Sequence, residues 1–124
     1  MNVPQGRLHR AREEQLPSAD LETVAFRMNL NPGMKAEYKR RHDEIWPELS
    51  ALLKGAGISD YSIWLDEETD HLFAVLKRPA DHTMDRLPQE AVMRRWWDHM
   101  ADVMATDAQN TPLQRPLEKM FYMA

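Results

Sequence analysis

Hydrophobic and polar residues alternate in several short segments, and a period of two is typical of half-buried β-strands. In residues 21–30, the side chains of Val24, Phe26 and Met28 share one face and polar residues lie between them. The same alternation predicts strands at residues 58–65 and 71–78, and the short acidic segment between them predicts a hairpin. A last alternating segment, residues 117–123, predicts a fourth strand.

Between the first two strands the apolar period changes to three or four residues, which predicts an amphipathic helix. Its stripe consists of Met34, Tyr38, His42, Ile45, Leu49 and Leu52. Pro47 lies within this pattern, has no N–H and crowds the preceding turn. We therefore expect a break at residues 44–46 and a second helix that begins at Pro47. A short helix is predicted at residues 81–87 and a longer one at 90–104.

The predicted order of strands and helices matches the split βαβ, ferredoxin-like plan of an α+β protein. In that plan a four-stranded antiparallel sheet has helices on one face only. Because several strands offer apolar residues to both faces, we expect a second subunit to pack sheet to sheet and form a homodimer. Residues 21–124 form the predicted single domain, and residues 1–20, with few large apolar groups, form an N-terminal extension.

Composition narrows the possible classes of function. The chain has 124 residues and no cysteine, which excludes a thiolate metal site and a cysteine nucleophile. A formal net charge of −4 argues against a nucleic-acid partner. No segment approaches the roughly 18 consecutive apolar residues of a membrane span, and the N-terminus has no signal-peptide-like apolar region. These features predict a cytoplasmic protein without a membrane partner.

His42 and Tyr38 are the first candidates for chemistry. They lie four positions apart on the predicted helix, so their side chains project together, and the break before Pro47 widens the space beside them. An imidazole has an ordinary pKa near 6.5 and can give and take a proton at neutral pH. The alternative is a buried, hydrogen-bonded His42 beside a core Tyr38.

Tyr61, Trp96 and Trp97 are the further candidates. Tyr61 lies early in the second strand and suits a core, an interface or a pocket. Adjacent helix residues point about 100° apart, so one of Trp96 and Trp97 can fill the core while the other reaches a pocket. An indole packs well on the C–H face of a sugar, although core packing is the alternative for both. No histidine pair has a metal-binding helix spacing, so no metal site is predicted.

Two sequence segments and a C-terminal pair resemble the L-rhamnose mutarotase family. They are residues 37–49 (EYKRRHDEIWPEL), residues 95–104 (RWWDHMADVM) and the pair Phe121-Tyr122. The similarity covers residues 22–124 and implies a dimeric α+β barrel that interconverts the α and β anomers of L-rhamnose without a cofactor. It also implies roles for the candidate residues: His42 as the proton donor, and Tyr38, Tyr61, Trp96 and Trp97 as contacts of the sugar.

Two other classes of function fit the predicted fold. A haem-binding or quinol monooxygenase of the dimeric α+β barrel type would use His42 differently, in the first case as a haem ligand. Haem absorbance or oxygen consumption would indicate that class. A non-enzymatic module would bind a small ligand without accelerating anomer exchange.

Overall fold

The computed structural model describes residues 20–124, so the predicted extension at residues 1–20 lies, apart from Asp20, outside the described residues. The described chain has four strands: β1 (Leu21–Asn29), β2 (Ser59–Asp66), β3 (His71–Pro79) and β4 (Arg115–Pro116). It has three α-helices: α1 (Lys35–Asp43), α2 (Pro47–Gly55) and α3 (Ala91–Met100). A 3₁₀ helix (Met84–Gln89) precedes α3. This order confirms the predicted α+β plan.

The four strands form one antiparallel sheet in the order β2-β3-β1-β4. Because side chains alternate along a strand, Met28, Leu72 and Leu76 fall on one face, where they are buried. Leu49 from α2 and Met100 from α3 pack into the same core. The three helices therefore cover one face of the sheet, as predicted, and the opposite face is open in the single chain.

The predicted break before Pro47 is confirmed. Helix α1 ends at Asp43, and the N–H of Glu44 still donates to the carbonyls of Arg40 and Arg41. Trp46 then adopts an extended conformation with φ −64° and ψ 133°, as residues before proline prefer. Pro47 is the first residue of α2, where its missing N–H costs no helical hydrogen bond. The break ends α1 directly after His42.

The prediction of a strand over residues 117–123 is wrong. Strand β4 contains only Arg115 and Pro116, which pair with β1, and the N–H of Leu117 adds one bond of 2.9 Å to the carbonyl of Ala25. Residues 118–124 form no strand, and Met120 and Phe121 are 87% and 79% exposed. Both alternating sets of the tail include large apolar side chains, and neither set reaches the core of its own chain.

The helix predicted at residues 90–104 ends at Met100, and the short helix predicted at 81–87 is the 3₁₀ helix, which includes Pro88. A 3₁₀ helix tolerates this proline because the segment is short and irregular. None of the helices within residues 20–124 has the length and apolar composition needed to cross a bilayer.

Candidate active site

A cavity of about 640 Å³ lies among α1, α3 and the helix-covered face of the sheet. Its volume falls in the range of about 300–1,000 Å³ that is usual for small-molecule sites. The five residues predicted from sequence all line it: Tyr38 and His42 from α1, Tyr61 from β2, and Trp96 and Trp97 from α3. Most of the other lining side chains are apolar, so the cavity suits a small ligand with both hydroxyl and hydrocarbon surface.

His42 lies half-buried in the wall of this cavity. Its Nδ1 lies 3.1 Å from the backbone carbonyl oxygen of Tyr38. A carbonyl oxygen only accepts hydrogen bonds, so Nδ1 carries a proton and Nε2 is the nitrogen left for a ligand. Burial lowers the pKa of His42, and the Tyr38 carbonyl and the Asp43 carboxylate oppose this effect only in part. The neutral imidazole is therefore favoured at neutral pH.

Aromatic rings surround the imidazole on two sides. The Tyr38 ring stacks on it, with 4.3 Å between centroids and 28° between planes. This confirms the prediction that Tyr38 and His42 project together. Trp96 meets the imidazole edge-on at 5.4 Å and 89°. The two contacts fix the plane of the His42 ring, because rotation would separate it from both neighbours.

The two cavity tyrosines are neutral at physiological pH. Tyr38 is buried, and its burial, with a smaller effect from the nearby Tyr61, raises its pKa well above the ordinary value. Tyr61 is 40% exposed in the single chain, and its partial burial in the cavity raises the pKa of Tyr61 to about 12. Each phenol can therefore donate one hydrogen bond to a ligand and accept another.

The adjacent tryptophans have different surroundings. Trp96 is 5% exposed and packs edge-on against Trp46 at 5.1 Å. Trp97 is half-buried, and the guanidinium of Arg94 lies 5.3 Å from its ring centroid. Both indoles nevertheless line the cavity, so Trp96 is a core residue and a wall residue at the same time.

The sequence analysis missed several polar residues of the cavity wall, among them Lys39, Asp43, Thr111 and Gln114. Lys39 and Asp43 form an ion pair of 2.9 Å across one turn of α1. Lys39 lies three positions before His42, a helical spacing that identifies it, whereas Asp43 directly follows His42 and has no such signal. Thr111 and Gln114 come from an irregular loop without any periodic pattern.

Comparisons with known proteins identify the family. A family described as L-rhamnose mutarotase matches residues 23–123. L-rhamnose mutarotases of Burkholderia cenocepacia (strain HI2424) and Rhizobium leguminosarum bv. trifolii are 59% and 61% identical over 103 residues. These matches cover 83% of this chain and 99% and 97% of the relatives. The chain belongs to the L-rhamnose mutarotase family.

A solved structure agrees with the assignment to the L-rhamnose mutarotase family, and a second one shows the same fold. The crystal structure of an L-rhamnose mutarotase from Formosa agariphila is 48% identical, with a TM-score of 0.77, over 83% of this chain and 99% of that one. A protein from Pseudomonas aeruginosa shares the fold at 14% identity and a TM-score of 0.51, over 82% and 94% of the two chains.

The L-rhamnose mutarotase family is a family of carbohydrate isomerases, so the first of the three functional classes considered from sequence is confirmed.

Within residues 20–124, no three His, Asp or Glu side chains are grouped so as to hold a metal ion.

Proposed function

We propose that this protein interconverts the α and β anomers of L-rhamnose by opening and closing the pyranose ring, with His42 as the proton donor. Membership in the L-rhamnose mutarotase family supports the reaction and the substrate. One structural observation carries the role of His42. Its Nδ1 is bonded to the Tyr38 carbonyl, which leaves Nε2 as the free nitrogen of a residue in the cavity wall.

Ring opening requires one proton to leave the anomeric hydroxyl and one to reach the ring oxygen. Both oxygens are bonded to the same carbon, so a single Nε2 can serve them in turn. The neutral imidazole takes the hydroxyl proton, and the imidazolium donates it to the ring oxygen as the C–O bond breaks and the aldehyde forms. Rotation about the bond to the aldehyde carbon and the reverse steps give the other anomer. General acid–base catalysis of this kind contributes about 10²–10⁴-fold.

The four aromatic residues are proposed to bind the sugar. The neutral phenols of Tyr38 and Tyr61 can bond to hydroxyl groups, and both side chains line the same cavity as His42. Trp96 and Trp97 present apolar surface that suits the C–H faces and the methyl group of a 6-deoxy sugar. No cofactor takes part in this proposed reaction.

The test compares wild type with His42→Gln by NMR saturation transfer between the two anomeric H1 resonances of L-rhamnose. We expect the enzyme-dependent exchange to fall by about 10²–10⁴-fold while sugar binding persists, because only the proton carrier is lost. His71→Gln is the matched control, since it also removes an imidazole, but His71 packs on Phe73 and does not line the cavity. Exchange at the wild-type rate in folded His42→Gln would contradict the proposal.

The homodimer and the domain limits are also proposals. We propose that two copies associate through the open face of the sheet as a dimeric α+β barrel; the 66% exposure of Trp64 on that face supports this.

The family match from residue 23 supports one domain at 21–124 preceded by an extension at 1–20. The cytoplasmic location stays a prediction.

A further inference from the structure

We propose that Arg41 is a positioning residue, which joins α1 to the C-terminal end of α3 and thereby holds the His42 imidazole in its catalytic orientation. The inference rests on the proposed role of His42. Arg41 immediately precedes His42 and does not line the cavity. Any effect of Arg41 on catalysis is therefore indirect.

The guanidinium of Arg41 forms hydrogen bonds to three residues. Its Nε donates to Glu37 Oε2 at 2.7 Å, within α1. Its Nη1 and Nη2 donate to the two carboxylate oxygens of Asp102 at 2.7 and 3.1 Å, and Nη1 also donates to the backbone carbonyl of His99 at 2.6 Å. The side chain of Arg41 is only 12% exposed, although that of its partner Asp102 is 69% exposed. A bidentate arginine–carboxylate pair fixes direction as well as distance.

These bonds complete a closed set of contacts around the imidazole. Arg41 holds the backbone of His99, and the ring of His99 packs on Trp96 with 5.6 Å between centroids. Trp96 in turn contacts the His42 ring. A shift of α1 relative to α3 would therefore disturb the Arg41 bonds and the His42–Trp96 contact together.

Helix α1 has few other means of fixing its position. It has nine residues, and Tyr38 is the buried one. Its ion pair with the β2–β3 turn, Lys35–Glu67, joins side chains that are 63% and 69% exposed, and exposed pairs stabilise by only about 0–1 kcal/mol. The side chain of Arg41 is less exposed than that of Lys35. Arg41 also places a positive charge at the C-terminal end of α3, where cations are favoured.

Arg40 provides a matched control on the same helix. It also pairs with Glu37, at 2.6 Å, and with Glu44, at 3.0 Å, but both partners belong to α1 or to its end. Arg40→Gln therefore removes the same charge and comparable ion pairs without removing a contact to α3.

The experiment measures kcat and KM for anomer exchange in wild type, Arg41→Gln, Arg41→Lys and Arg40→Gln, each at a temperature where circular dichroism indicates a folded protein. We expect Arg41→Gln to lower kcat by about 10–100-fold with KM within about threefold, because misplacement of a catalytic group by about 1 Å can cost about 10²-fold. Arg41→Lys should restore little, because an ammonium cannot reproduce the bidentate fork. Arg40→Gln should stay within about twofold of wild type.

The pH profile separates positioning from an electrostatic effect. Asp43 is the charged group that acts on the pKa of His42, and Arg41 does not contact the His42 ring. In Arg41→Gln, the pH midpoint of the acid limb should therefore stay unchanged, while the maximal rate falls. A folded Arg41→Gln with kcat within about twofold of wild type would overturn the inference, as would an equal loss in Arg40→Gln. If Arg41→Gln does not fold, Asp102→Ala replaces it in the test. A lower kcat in Asp102→Ala would support the proposed contact between α1 and α3, and a wild-type kcat would overturn it.

Failure of this inference is distinguishable from failure of the proposed function. Normal exchange in His42→Gln would remove the basis of both. An inactive His42→Gln together with a normal Arg41→Gln would leave the catalytic role of His42 intact and reject only the link. In the His42→Gln background, Arg41→Gln should have no further effect on residual exchange, because residues that act through one group are not additive.

Discussion

At His42, burial and hydrogen bonding act on the imidazole in opposite directions, and burial has the larger effect on its pKa. Because the proposed first step uses the neutral imidazole, activity is present above this pKa and is lost as the pH falls through it. We therefore expect the acid limb of kcat/KM to lie below about pH 6.5, the ordinary value for histidine. Anomer-exchange rates between about pH 5 and 8 test this.

Asp43→Asn provides a second test with a known sign. The Asp43 carboxylate raises the pKa of His42, so removing its charge should lower that pKa and move the acid limb to lower pH. The side-chain volume is nearly unchanged, which preserves the cavity wall. A movement of the limb to higher pH, or a wild-type limb well above pH 6.5, would contradict the assignment of the limb to His42.

The sequence predicts local neighbours better than distant ones. Helix spacing alone brings Tyr38 and His42 together, and the 4.3 Å stacking confirms it. The contact between Arg41 and Asp102 joins residues 61 positions apart and depends on how α1 packs beside α3. No spacing rule reports such a contact, so it was absent from the sequence analysis.

The turn from α2 to β2 depends on Gly57, which has a φ of +103°. A Cβ at this position would lie 3.1 Å from Pro79 Cδ and 3.3 Å from His82 Cβ, in a backbone region that L-residues rarely adopt. We expect Gly57→Ala to lower the free energy of unfolding by more than about 1 kcal/mol, through strain and crowding together. Urea denaturation followed by circular dichroism measures the change.

Gly55 gives the matched control for this turn. It is the last residue of α2, has no positive φ, and a Cβ there would meet no atom within 4 Å. Gly55→Ala should raise the free energy of unfolding by up to about 1 kcal/mol, because alanine loses less backbone freedom in a helix. Equal destabilisation by both substitutions would show that Gly57 has no special conformational role.

Among the elements, those with a one-sided apolar pattern were predicted well and the tail was not. In β3 the buried residues alternate with half-buried ones, because a single core covers one face. In residues 117–123 large apolar side chains occur at both odd and even positions, so the pattern does not indicate which face of a strand would be buried. The alternation alone therefore does not decide whether this segment pairs as a strand.

For the whole molecule, the open face of the sheet is the feature that the single chain leaves unexplained. Cross-strand pairing aligns Trp64 on β2 with Phe73 on β3 and Phe73 with Arg27 on β1. A second copy packed on the same face would give these aromatic side chains apolar cover.

Light scattering at micromolar concentration tests this arrangement. We expect wild type to have twice the chain mass of 14.5 kDa. Trp64→Glu should shift the protein toward the monomer, because it places a charge in the apolar centre of the proposed interface. Ala51→Glu, at an exposed position of α2 on the helix-covered side, should leave the mass unchanged. A monomeric wild type would contradict the proposed dimer. Dissociation by Ala51→Glu but not by Trp64→Glu would place the contact on the helix-covered side instead of the open face.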